Sequence, residues 1–299
     1  MPVIGFLGSA SPDHYAHLID AYRQGLTEAG YDDGRNVTID FRWAESQYDR
    51  LPALAADLVH RRVAVITAGA FPAAVAAKAA TTSIPIVFSL GVDPVEFGLV
   101  TSMNRPGGNI TGVANLNLEL GAKQLEVLRE LAPAATVATL LINPTNPNAQ
   151  AQAKTIQGAA GNLGLRIDVL HASSERDFDP VIAAFRQSRA AGLVIGADSF
   201  LVSRAAQLGA LLGREGVPAI MQSREFVVAG GLLHYGSSIT DAYRKVGVYT
   251  GRVLKGEKPA DLPVQQSTKV ELIVNLKVAK AMGLNVPQTL LARADEVIE

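Results

Sequence analysis

"AVITAGAFPAAVAAKAATTSIPIVFS", residues 64–89, and "GLVIGADSFLVSRAAQLGALLGREGVPAIMQS", residues 192–223, follow one script. Each gives an apolar run, Ala-x-x-Phe, a helix rich in alanine or leucine, Ile-Pro or Val-Pro, a second apolar run and a serine. Apolar runs of this length, alternating with helical stretches, read as βα units on parallel sheets covered on both faces. "FLGSASPDH" (6–14) and "LINPTNPNA" (141–149) match in the same way: strand, small polar loop, proline, helix. The chain is therefore expected to hold two similar lobes of one architecture.

The rest of the sequence extends the pattern. In the first half strands are expected at 3–8, 36–44, 63–67, 84–89 and 110–114, and in the second at 136–143, 165–172, 192–197, 217–222 and 231–236. "HYAHLIDAYRQGLTEAG" sets Leu18, Ala21, Tyr22, Leu26 and Ala29 on one helical face and stops at Gly30. After the second set come an amphipathic helix, "ITDAYRKVGVYTGRVLKG" (239–256), a Pro-rich turn, the strand-like "VELIVN" (270–275) and closing helices. Extra elements after two complete lobes imply repeated passage between them, with crossings expected at 112–117, 234–238 and 262–267.

Bulk properties narrow the function. The 299 residues suffice for two lobes. A formal charge of -1 gives no reason to expect nucleic acid or an anionic membrane as partner. No apolar run approaches the roughly 20 residues of a membrane span. The absence of cysteine removes disulfides, thiolate metal sites and cysteine nucleophiles. "MPVIGFLG" enters the first strand at once, which fits either a cytoplasmic protein or an exported one without its leader.

In open parallel sheets, ligands sit beyond the carboxyl ends of the strands. The loops there are "GSASPDH", "TAGAF", "SLGVDP", "NPTNPN", "GADSF", "QSREF" and "HYGSS". They are poor in catalytic groups. Of five histidines only His14 and His234 fall in them, and the His14/His17 pair lacks a further ligand, so it reads as a solvated helix start with no metal. "NRPGGN" (104–109) precedes a strand and reads as a turn. As a binding surface the loops are richer. Ser9, Ala10, Gly69, Ala70 and Ser89 to Gly91 are small and precede helices, leaving backbone N–H groups for an anion. With Arg224 as the one basic side chain, that anion is expected to carry a single charge, as a carboxylate does. Asp93, Asp198 and Glu225 can meet an ammonium, and Phe71, Phe200, Phe226 and Tyr235 can wall an apolar body.

Each residue has a plainer reading too. Asp93 before Pro94 suits an N-cap, and Asp198 before Ser199 can cap as well as hold a charge. Asn143 and Asn146 flank prolines and make turns. The phenylalanines can be core, Trp43 and Tyr48 can pack locally, and Arg224 can pair with Glu225.

"YRQGLTEAGY" (22–31), "GRNVTIDFRWAESQYDRLPALAADLV" (34–59), "IPIVFSLGVDPVEFGLVTSMNRPGGNITGV" (84–113), "INPTNPNA" (142–149), "SREFVVAGGLLHYG" (223–236) and the tail from Thr268 together resemble the ABC-transporter substrate-binding proteins related to tryptophan/tyrosine uptake. The resemblance covers nearly the whole chain. It implies an α/β fold of two similar doubly wound parallel-sheet lobes joined by a three-strand hinge, the periplasmic binding protein-like I fold. The lobes are expected at 1–115 plus 237–265 and 116–236 plus 266–299, with the ligand cleft between them. It also implies a periplasmic protein, exported behind a leader, serving an ABC permease. The family's cleft loops match here at Ser9, Ala10, Ala70, Phe71, Ser89, Asp93, Asn143, Asn146, Asp198 and Tyr235.

The reading is a monomer without cofactor or catalysis, expected to close on a small amino-acid-like or aromatic carboxylate. Ser9, Ala70 and Ser89 amides would hold the carboxylate, Asp198 the amine, and Phe71, Phe200 or Tyr235 the side chain. Two alternatives stand beside it: a doubly wound enzyme, which needs an acid/base pair that the loops offer only in Asp198 and Glu225, and the ligand-sensing domain of a regulator.

Overall fold

Short, β-branched apolar runs become central strands because both of their faces are covered. The computed structural model describes residues 1–115, 120–267 and 270–299. The chain begins β1 (Val3–Gly8), α1 (Pro12–Glu28), β2 (Thr38–Trp43), α2 (Leu51–His60), β3 (Val65–Gly69), α3 (Phe71–Ala80), β4 (Ile86–Leu90) and β5 (Ile110–Ala114). It continues α4 (Gly121–Leu131), β6 (Val137–Ile142), α5 (Ala149–Asn162), β7 (Arg166–His171), α6 (Phe178–Ser188) and β8 (Leu193–Ile195). Next come α7 (Ser199–Ser203), α8 (Ala205–Arg214), β9 (Ala219–Met221), α9 (Arg224–Val228) and β10 (Leu233–Ser237). Then follow α10 (Ile239–Leu254), β11 (Gln265–Gln266), β12 (Val270–Asn275), α11 (Leu276–Ala281), α12 (Gln288–Leu291) and β13 (Glu296–Ile298).

Two units result: Met1–Leu116 with Ser238–Thr268, and Asn117–Ser237 with Lys269–Glu299. The expected crossing at 112–117 runs into residues outside the described ones, and that at 262–267 stops just short of them.

The first unit carries a six-stranded sheet, β11-β5-β4-β3-β1-β2, with every pair parallel. α1 and α10 cover one of its faces, burying Phe6, Tyr22, Leu26 and Val246. Two glycines set their spacing. A Cβ on Gly25 would stand 1.8 Å from the Arg244 carbonyl oxygen, and one on Gly247 would stand 2.1 Å from that of Tyr22. Only hydrogen at both positions lets the backbones approach this closely. Behind this seam the Tyr22 hydroxyl meets Thr67 Oγ1 at 2.8 Å, and Thr67 meets Thr250 at 3.2 Å. Burial pushes the Tyr22 hydroxyl pKa up to about 12.

The second unit carries a seven-stranded sheet, β13-β12-β10-β9-β8-β6-β7. It departs from the all-parallel expectation at one pair: β12 runs antiparallel to β10, with Ser237 opposite Val270 and Leu233 opposite Val274. The reason is topological. The chain leaves this unit at the end of β10 and re-enters at the start of β12, so both crossings lie at one sheet end and the strands must run oppositely. β13 is a second departure, a parallel strand beside β12 where the sequence suggested only helices. One face of the sheet buries Leu125, Leu140, Ile156 and Val274; the other buries Phe178, Phe185, Leu208 and Phe226.

Candidate functional site

The candidate residues gather, within each unit, beyond the carboxyl ends of the parallel strands. In the first unit Ser9 follows β1, Ala70 and Phe71 follow β3, and Ser89 lies near the end of β4; Ser9 and Ala10 are wholly buried and Ser89 nearly so. Ser9 Oγ donates to the Gly69 carbonyl at 3.2 Å, tying two strand ends together. Ala70 sits at φ 91°, ψ 165°, a conformation glycine favours and a side chain resists. Its N–H donates to the Ser89 carbonyl at 3.0 Å, so the expectation that this amide is open to a ligand is corrected: the parallel β3–β4 ladder, extended by one bond, consumes it. The strained turn launches α3. There Pro72 has no N–H and Ala74 N–H already bonds the Ala70 carbonyl. The first-turn donors outside the helix ladder are therefore those of Phe71 and Ala73.

Phe71 packs edge-to-face on Phe97, ring centroids 4.9 Å apart. Phe97 escaped the sequence reading. It is brought there by the 93–100 loop, which Lys78 holds by donating to the Leu99 carbonyl at 3.0 Å. Asp93 organises the same loop, accepting from Val95 N–H at 2.7 Å. The helix expected to follow Asp93 does not form; the chain turns instead, with Leu99 N–H returning to the Pro94 carbonyl. Trp43 stacks parallel to Phe41 at 5.8 Å and lies over Gly8, packing locally.

In the second unit Asn143 and Asn146 follow β6, Asp198 follows β8 and Gln222 follows β9, all buried. Asn143 and Asn146 do make turns. Asn143 Oδ1 accepts from Thr145 N–H at 3.0 Å, and Asn146 Oδ1 from Asn148 N–H at 3.2 Å. Those bonds fix both amides with nitrogen outward, towards Asp198. Asn146 Nδ2 donates to Asp198 Oδ2 at 2.7 Å, and Asn143 Nδ2 lies 3.3 and 3.4 Å from the two carboxylate oxygens. Asp198 also caps α7, accepting from Leu201 N–H at 3.0 Å. Turn, cap and cluster are one device: two asparagines and a helix start converge N–H groups on one carboxylate 5% exposed.

The aromatic residues divide. Tyr235 is half-buried against the cluster of Leu125 and Leu272, and its carbonyl accepts from Gln124 Nε2 at 2.8 Å. Phe200 is buried in the opposite face's core, stacked on Phe178 at 5.9 Å, and Phe226 is fully buried there too. Arg224 pairs with Glu296 at 2.7 Å rather than with Glu225, because β13 runs close to α9. That bond raises the Arg224 pKa and lowers that of Glu296. His234 is buried and its pKa is lowered, chiefly by desolvation; Glu271, Glu225 and a hydrogen bond to the Ser223 backbone oppose the shift, while Arg224 adds to it.

Among the described residues no three His, Cys, Asp or Glu side chains gather to hold a metal, and no helix is long and apolar enough to cross a membrane. The two sets of groups differ in kind. The first unit's loops offer backbone donors at a helix start; the second unit's offer a carboxylate and carboxamides.

The sequence matches the family described as ABC transporter substrate binding protein over residues 9–298. It is 28% identical over 262 residues to a protein named tyrosine-binding protein from Clostridioides difficile (strain R20291), covering 87% of this chain and 75% of that one. Among solved structures, the ABC domain from Streptococcus pneumonia in complex with L-Trp superposes with a TM-score of 0.87 at 25% identity, covering 99% of both chains. A conserved domain protein from Vibrio cholerae superposes with a TM-score of 0.90 at 22% identity, again over 99% of both, a likeness of fold.

Proposed function

The chain belongs to the ABC transporter substrate-binding protein family, and from that premise we propose that it captures an aromatic amino acid outside the cytoplasmic membrane and delivers it to an ABC permease. It acts as a monomer, without cofactor, and makes or breaks no bond. The observation that carries the reading is the convergence on Asp198, a buried carboxylate oriented by Asn143, Asn146 and the start of α7. An ammonium group is the natural complement of such a carboxylate. In the first unit the N–H groups of Phe71 and Ala73 suit a carboxylate, with the α3 dipole adding to the attraction. A zwitterionic ligand carries a group complementary to each set, a carboxylate for the one and an ammonium for the other. Phe71 or Tyr235 is the side chain offered to the ring. The relative named for tyrosine and the neighbour holding L-Trp support the aromatic class.

Thermal unfolding and isothermal titration against the twenty amino acids test this. L-Trp, L-Tyr or L-Phe at about a hundred times Kd adds about 2.7 kcal/mol of stability by mass action, while aliphatic amino acids and pentoses leave the transition in place. A sugar or nucleoside that raises Tm while every amino acid fails overturns the reading.

A further inference from the structure

Gln222 follows β9, the neighbour of the strand that leads to Asp198, and half of its polar side chain is unused. It is 2% exposed and donates from Nε2 to the Gly196 carbonyl at 3.3 Å. Its Oε1 is buried and has no hydrogen-bond partner. The orientation of this amide is chemically fixed: a backbone carbonyl only accepts, so nitrogen must face Gly196 and oxygen must face away. Gly196 lies two residues before Asp198, and β8 and β9 are adjacent strands, Val194 opposite Ile220. The Gln222 amide therefore lies at the strand end that launches Asp198. Gly196 has to be glycine for this packing, since a Cβ there would stand 2.2 Å from Gln152 Oε1 and 2.8 Å from the Leu141 carbonyl oxygen.

A second buried oxygen on these loops, Asn148 Oδ1, also lacks a partner. Asn148 belongs to the turn after β6 that supplies Asn143 and Asn146. The unsatisfied atoms here are acceptors, and they accompany a carboxylate. A buried acceptor calls for a donor, and an ammonium arriving with a ligand would supply one.

We infer that Gln222 Oε1 is a second acceptor for the ligand's ammonium group, acting beside Asp198; the inference rests on the reading that the ligand is an amino acid. An ammonium carries three N–H donors, and one carboxylate does not satisfy all of them in a buried site. A neutral oxygen adds a hydrogen bond without adding a second negative charge, whose repulsion would oppose ionisation of Asp198. Gln222 then reads the group common to all amino acids and ignores the ring.

The test is isothermal titration of the full chain with L-Trp, L-Tyr and L-Phe, comparing wild type with Gln222→Met, which keeps length and volume but removes the amide. The expected result is a loss of about ten- to a hundred-fold in affinity, by the same factor for all three ligands. Ligand-free unfolding serves as the check of folding, and Gln222→Leu is used on the same terms should the methionine variant fail to fold. Unchanged affinities overturn the inference and leave the amino-acid reading standing, since Oε1 then serves a water. A loss for L-Trp and L-Tyr that spares L-Phe also overturns it, because Gln222 would then contact the ring's polar atom. A wild type that binds none of the three overturns the functional reading and this inference with it.

Discussion

Asp198 is asked to do two things, to cap α7 and to meet a ligand's positive charge, and the Ala and Asn substitutions separate them. Asp198→Ala strips the acceptor from Asn143 Nδ2, Asn146 Nδ2 and Leu201 N–H together. A buried donor left unsatisfied costs about 1–3 kcal/mol, and a lost cap about 1 kcal/mol. The vacated space admits water to the two asparagines, so the net cost is about 3 kcal/mol rather than the full sum. For a chain of this size that lowers Tm by about 6–12 °C. Asp198→Asn keeps Oδ1 for Leu201 and hence the cap, but sets an NH2 against Asn146 Nδ2, where the present contact is 2.7 Å. One bond is lost, about 1–2 kcal/mol. Binding should respond alike in both variants. Either variant removes the charge partner of the ammonium, at about 2–5 kcal/mol, a fall in affinity of about thirty- to several-thousand-fold. Unfolding scans and titration with L-Trp or L-Tyr read the two effects independently. An Asn variant that binds as tightly as wild type refutes the counter-charge role, and an Ala variant that melts with wild type refutes the capping network.

Three further outcomes follow from the same structure. Gly25→Ala drives a methyl into the Arg244 carbonyl, 1.8 Å from the Cβ position; separating α1 from α10 costs about 3 kcal/mol or more, and a Tm within 2 °C of wild type contradicts the close-packed seam. Ala70→Gly relieves backbone strain of about 1–3 kcal/mol against an unfolded-state entropy cost of about 0.4–1 kcal/mol, so Tm should rise by a few degrees, and a fall refutes the strain. His234 is held neutral, its folded pKa below the unfolded 6.5. The unfolded chain therefore takes the proton first, so this contribution to stability is complete above pH 6.5 and is lost as pH falls below it. His234→Phe should lose less Tm than wild type between pH 7.5 and 5.5; equal losses refute the assignment.

The sheets were legible because central strands of a doubly covered sheet have no polar face to hide, so each appears as an unbroken apolar run. The βα repeat carried the twin architecture for the same reason. Asp198, Asn143 and Asn146 could be read as candidates because each is polar and lies in the short loop that follows such a run. Their partnership could not, since it joins positions more than fifty residues apart. Gln222 lay in a loop already marked, yet a neutral glutamine carries no pattern; its significance appears only when Gly196 is found to fix its amide. Phe200 stands where a ligand-facing ring could stand, but a five-residue helix does not specify its face from sequence, and the ring joins Phe178. The antiparallel turn of β12 and the pairing of Arg224 with Glu296 were hidden likewise, being products of where the chain re-enters the second unit.

The glycine seam between α1 and α10 sets a timetable for the growing chain. Gly25 leaves the ribosome more than two hundred residues before Gly247. At about 5–20 residues per second, α1 waits roughly 10–45 s for its partner. Throughout that interval Leu18, Tyr22 and Leu26 have no helix to cover them, and a nascent chain halted near residue 116 holds a half-built unit with its sticky side bare.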